Sequence, residues 1–186
     1  MDLALLQQQL TQGQHAPLES WHPPYCGEIP IRIDREGQWF YQQSPIGRVE
    51  LVKLFSRVLQ RKDDHYVLTT PVEEVGIQVD DAPFLLVNWQ WCDSDAGPVL
   101  QMSTNLGVEY LITAEYPVQL QAEPGSGIWL PYLQLPRGLT AKFSRSVFYQ
   151  LAEQADLQLI EGQHHFVLQS GDYQFSLGLA EDSQNN

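Results

Sequence analysis

A chain of 186 residues with 43% hydrophobic and 18% charged side chains has the makeup of one large folded domain or two small ones, and excludes wholesale disorder. Its formal net charge of −13 opposes the phosphate neutralisation that nucleic-acid binding needs, and equally the attraction that draws proteins to anionic lipid. Two cysteines without CxxC spacing, no basic-plus-apolar leader and no run near the ~20 apolar residues of a membrane span point to a cytoplasmic protein with free thiols.

In chain order, Leu3, Leu6 and Leu10 make one stripe of a short amphipathic helix over residues 2–10, ended by Gly13 and Pro17. Trp21–Pro24 is irregular or extended, because each proline denies helix to the residue before it. Residues 1–20 therefore read as an N-terminal helix and arm. Ile29, Ile31 and Ile33 then alternate with Pro30, Arg32 and Asp34 as a half-buried strand; Glu36–Gly37 turns the chain and Gln38–Gln42 returns it. The clearest helix follows. Leu51, Leu54, Phe55, Val58 and Leu59 recur at helical spacing, with Glu50 near the start and Arg57, Arg61 and Lys62 near the end, as the helix dipole favours. Asp63–Asp64 leads into a strand at His65–Thr70, and Val75, Ile77 and Val79 mark another. Phe84–Trp91 is apolar enough for a strand covered on both faces.

The polar loop Asp93–Gly97 is the expected boundary between a first α+β unit, residues 21–92, and a second, residues 93–180. In the second, Leu100–Met102, Glu109–Ala114 and Pro117–Gln121 read as short strands and Glu123–Gly127 as a loop. Phe148, Leu151, Ala152 and Ala155 stripe a helix for which Ser144 or Ser146 can serve as N-cap. Leu157–Ile160, His165–Gln169 and Tyr173–Leu177 follow as strands, and residues 181–186 as a frayed tail. The halves echo one another. His65–Leu68 (HYVL) returns as His165–Leu168 (HFVL), each after an amphipathic helix and before an alternating strand. This suggests a duplicated unit, and convergence of two unrelated α+β halves is the plainer alternative.

The run Cys26–Gly27, Ile31, Ile33, Gly37, Trp39, Tyr41, Pro45–Ile46 and Arg48, continued by Leu51–Val52, Thr70–Pro71, Glu73 and Pro83–Phe84, resembles the bacterial domain-of-unknown-function family 1285. Thr104–Asn105, Pro131–Tyr132, Arg137–Leu139, Arg145 and Phe148–Tyr149 carry the similarity through the second half. Glu36–Gly37 stands where the family tends to have Asp-Gly, and the glycine before Pro45–Ile46 is missing. The resemblance implies an α+β fold of two rolled, repeat-like halves, each a curved, mostly antiparallel sheet packed on one helix. It also implies a role in bacterial signal transduction, and brings no catalytic or binding residues with it.

No catalytic or metal signature is present. His164–His165 would point to opposite faces of a strand, and His15, His22, Cys26 and His65 lack the spacing of a ligand set. Cys26 would need a neighbouring histidine to act as a nucleophile; a small thiol beside a turn is the commoner case. Trp39 and Tyr41 share one strand face and Phe40 takes the other, so that if Phe40 packs beneath the helix, Trp39 and Tyr41 look outward or into a groove between the halves. Arg48 opens a helix against its dipole and calls for a carboxylate such as Glu73 or for an anionic ligand. Arg137 and Arg145 invite the same two readings, and Thr70–Glu73 is a hydroxyl-bearing turn. The resulting expectation is a non-catalytic small-ligand-binding or interaction module. Its site would comprise Trp39, Tyr41, Arg48, Thr70, Glu73, Arg137 and Arg145 in a groove between the halves, with no cofactor or metal. The partner would be a small molecule or a protein, not nucleic acid or membrane. The rivals are an enzyme using Cys26 or a His–carboxylate pair, and an assembly factor using Trp89, Trp91 and the N-terminal helix.

Overall fold

The computed structural model describes residues 3–12 and 18–180, without the side chains of Thr11, Gln12 and Glu19. The helix stop at Gly13 and Pro17, His15 and the tail from Glu181 lie outside the described residues. Two compact units part at Pro83–Phe84, and the short segment Pro136–Leu139 belongs to the first of them. Asp93–Gly97, the expected boundary, is instead the turn of a hairpin within the second unit.

In the first unit the N-terminal stripe forms α1 (Leu3–Gln12), with Leu6 and Leu10 buried. The alternation of isoleucines becomes β1 (Tyr25–Ile33), followed by β2 (Trp39–Tyr41), β3 (Ser44–Pro45) and α2 (Val49–Arg57). A three-strand meander completes it: β4 (Leu59–Lys62), β5 (His65–Thr69) and β6 (Glu74–Val79). The sheet order is β3-β2-β1-β6-β5-β4, antiparallel except where β1 and β6 run parallel. Ile33 pairs with Trp39 and Ile31 with Tyr41, which puts these four side chains on one face. Leu51, Val52 and Phe55 of α2 are buried, and the Phe55 ring lies 6.3 Å from that of Trp39. Leu59, read from its spacing as helical, opens β4 instead. Its pairing with Leu68 across the Asp63–Asp64 turn takes it out of the helix, and it is fully buried either way.

The second unit runs β7 (Phe84–Cys92), β8 (Val99–Thr104), β9 (Glu109–Leu111), β10 (Val118–Ala122), β11 (Trp129–Gln134) and β12 (Thr140–Phe143). It ends with α3 (Arg145–Ala152) and a second meander, β13 (Asp156–Ile160), β14 (Gln163–Ser170) and β15 (Tyr173–Leu179). One sheet has the order β10-β11-β12-β7-β8-β9, with β12 and β7 parallel; the meander forms its own three-stranded sheet, β13-β14-β15. Ser144 is the N-cap of α3, accepting from the Val147 amide at 3.3 Å. β7 is not covered on both faces: Phe84 and Leu86 are buried, but Val87, Asn88 and Gln90 are exposed.

Each unit thus has a helix followed by an antiparallel three-strand meander, and the echo holds at the level of register. Leu68 pairs with Val75 and Leu168 with Phe175. Thr70, directly after β5, and Ser170, the last residue of β14, are both fully buried. The meanders differ in their surroundings. The first is extended to six strands by β1, β2 and β3, whereas the second remains at three.

Candidate functional site

The β2–β3 hairpin, the Ile46–Gly47 connection and the first turn of α2 curve beneath α1 to leave a groove of about 440 Å³. Leu3, Ala4, Ile46 and Leu51 give it apolar walls, and Tyr41, Gln7 and Arg48 its polar groups. A smaller hollow of about 130 Å³ adjoins it over Arg48, Leu51 and Leu54. A concave apolar site with few convergent polar groups is the usual form of a small-molecule site. Arg48 occupies the N-cap of α2 with extended backbone and makes no side-chain cap. Its Nη2 donates to the Gln7 amide oxygen at 2.9 Å, and among the described residues no carboxylate forms an ion pair with it. Glu73, the expected counter-ion, accepts from the Gln9 amide nitrogen at 2.6 Å instead. Both polar contacts tie α1 down, and the guanidinium stays exposed.

Of the seven anticipated residues, Tyr41 and Arg48 are brought to this groove. Trp39 is not. The strand face is the reverse of the one considered: Trp39 packs beneath α2 at 2% exposure and Phe40 takes the opposite face, because pairing to Ile33 commits Trp39 to the core side. Its indole Nε1 is buried without a hydrogen-bond partner among the described residues. Thr70 is buried in its own turn, donating to the Glu73 carbonyl and accepting from the Val72 and Glu73 amides. Arg137, at φ 63°, donates to the Arg57 carbonyl and so sets a cation at the C-terminus of α2. Arg145 is an exposed residue in the first turn of α3, in the second unit.

A second groove, of about 950 Å³, lies on the outer face of the first unit's sheet and was not foreseen. Arg32, Phe40, Gln42, Gln43, Gln78 and Glu28 line it. Gln42 and Gln43 form the two-residue β2–β3 turn with φ of 47° and 70°, a conformation usually given to Asn-Gly. That turn signal was open to sequence reading, but glutamine hides it. Arg32 holds Asp80 with two carboxylate contacts from Nε at 3.0 Å and one from Nη2, and sits over the Phe40 ring. Gln78 adds a bond to Asp80 at 2.9 Å.

Hydrogen bonding from Arg32, reinforced by Gln78 and by the charges of Arg32 and Arg35, holds the Asp80 carboxyl below its ordinary range despite the opposing effect of burial. The same bond raises Arg32. A depressed carboxylate contributes stability above its unfolded value of about 4, and that contribution disappears as pH falls through the folded value. Asp80→Asn is therefore expected to flatten the acid limb of the stability profile below about pH 4. Urea midpoints at stepped pH measure this; an acid limb as steep as wild type would show that the pair contributes nothing.

The Cys26 thiol is exposed and its hydrogen-bond partner is the Pro24 carbonyl at 3.5 Å. His165 Nδ1 meets the Ser176 hydroxyl at 2.9 Å. Among the described residues no group of three or more His, Cys, Asp and Glu is placed to hold a metal, and no helix is long and apolar enough to cross a membrane. Trp89 and Trp91 stack edge to face and donate to Gln150 of α3 and to Gln154 just beyond its C-terminus, at 2.9 and 3.1 Å.

Residues 16–82 match the N-terminal domain, described as a domain of unknown function (DUF1285), and residues 83–177 match the C-terminal domain of the DUF1285 proteins of unknown function. The chain is similar to the crystal structure of a DUF1285 family protein from Silicibacter pomeroyi DSS-3. That similarity has a TM-score of 0.78 at 34% identity, over 95% of this chain and 98% of that one. It is also similar to a DUF1285 family protein from Shewanella baltica OS155, with a TM-score of 0.55 at 29% identity over 69% of this chain and 94% of that one. No curated protein matches.

Proposed function

The chain belongs to the DUF1285 family, over both of its domains, and from that membership and the Tyr41–Arg48 groove we propose a non-catalytic module of bacterial signal transduction that binds a small molecule on its first unit. The ligand is amphipathic, with an apolar body between α1 and the β2–β3 hairpin and an anionic head on Arg48. One observation carries this reading. A guanidinium with no ion-pair partner among the described residues stands at the mouth of an apolar groove, at the N-terminal end of α2, where the helix dipole also favours negative charge.

Simple fragments test it. Hexanoate and benzoate are expected to raise the thermal midpoint saturably, while hexanamide and benzamide do not. Arg48→Ala is expected to weaken the carboxylates by roughly 10- to 100-fold, the magnitude of a charge-assisted hydrogen bond, and Arg48→Lys to recover part of that. Arg48 is exposed, so the alanine variant keeps its fold. Carboxylates that bind the variant as well as wild type, or that shift neither, would refute the proposal.

A further inference from the structure

The apolar face of the second meander runs uncovered over its edge strand. In the β13–β14 register Leu157 lies opposite Phe166 and Leu159 opposite His164, so both leucines continue the side that buries Leu168 and Phe175 further in. Yet Leu157 is 61% and Leu159 67% exposed. Strand edges are ordinarily blunted by lysine, proline, bulges or brevity, or covered by another element. The first unit's edges follow that rule: β3 has two residues including Pro45, and β4 carries Arg61 and Lys62. In the second unit β15 lies against β10 and β11. β13 has none of these protections. Its sequence DLQLI lacks lysine and proline, it pairs with β14 without a bulge, and among the described residues no strand is bonded to its other side.

We propose that β13 is a self-association strand. Two copies of this chain pair antiparallel along it, centred on Gln158, and join their three-stranded sheets into one of six strands. The sequence around Gln158 is self-complementary. With Gln158 opposite itself, Leu157 of each copy faces Leu159 of the other, Asp156 faces Ile160, and Glu161 faces Ala155. No carboxylate then opposes a carboxylate, which matters for a chain of net charge −13. Neighbouring registers lack this match. Centring on Leu157 sets Glu153 against Glu161, and centring on Leu159 sets Leu157 against Glu161. A one-residue slip turns the leucines of the two copies to opposite faces. The symmetry is that of a two-fold dimer, in which the same strand serves both partners.

Sedimentation of the full chain between about 10 and 300 µM is expected to show a monomer–dimer equilibrium, tighter at ~500 mM than at ~50 mM salt because screening removes the acidic repulsion. Leu157→Glu and Leu159→Lys are each expected to weaken it at least tenfold, with circular dichroism unchanged, since both side chains are mostly exposed. Mixing those two single variants should restore a dimer, because the new carboxylate and ammonium face one another across the axis. A wild-type chain that stays monomeric throughout would overturn the proposal, as would a dimer indifferent to both single variants. Single variants that weaken the dimer but give none when mixed would overturn the register.

Discussion

Phe55→Ala is expected to destabilise the protein by about 3–5 kcal/mol, the range for deleting a buried aromatic ring. Phe55 is fully buried and its ring meets Trp39, itself 2% exposed, so the cavity would open between α2 and the centre of the first sheet. The surroundings have little freedom to collapse into it. Trp39 is held by strand pairing to Ile33, and α2 is anchored through Leu51 and Val52. Phe55→Leu should cost distinctly less, because most of the volume remains. Urea unfolding followed by far-ultraviolet circular dichroism measures both, and a loss under about 1 kcal/mol for the alanine variant would be incompatible with this packing. The consequence reaches the candidate site. Arg48 stands at the head of α2, so a loosened helix should weaken carboxylate binding although Phe55 does not line the groove.

The legible parts of this fold were those where one local pattern had one tertiary use. The Ile31–Ile33 alternation, the Leu51–Phe55 stripe and the return of HYVL as HFVL all correspond to buried faces or matched registers. β11 and β12 were missed for identifiable reasons. Pro131 sits inside β11 opposite Leu120, where sequence reasoning treats proline as a break, and β12 is only four residues long. The boundary was displaced because a polar Asp-rich loop looks the same whether it links domains or closes a hairpin, and the β7–β8 ladder decides which. The candidate groove was legible in part. Arg48 announced itself as a cation misplaced at a helix start, and Tyr41 came with it. Trp39 did not follow, because which face of a three-residue strand turns inward is fixed by its partner strand and not by its own letters.

The echoed turn supplies a sharper comparison. Thr70 directly follows β5 and Ser170 ends β14, at matching points of the echo, and both are fully buried, yet their hydroxyls bond differently. Thr70 serves its own four-residue turn. Ser170 reaches out of its turn, donating to the Ile112 carbonyl at 2.6 Å and accepting from the Leu100 amide at 2.9 Å, and so ties the second meander to the sheet containing β8. Ser170→Ala removes the partner of two buried main-chain groups at once. At about 1–3 kcal/mol for each group left unsatisfied, a loss of roughly 2–5 kcal/mol is expected. The turn amides freed by Thr70→Val are only part-buried, so that variant should lose about 1 kcal/mol. Chemical denaturation of the two variants side by side tests the difference. Losses of equal size would mean that the Ile112 and Leu100 bonds contribute nothing beyond the turn itself. A markedly larger loss at Ser170 would mean that, where β1 extends the first meander through a parallel strand pair, a single hydroxyl helps fasten the second.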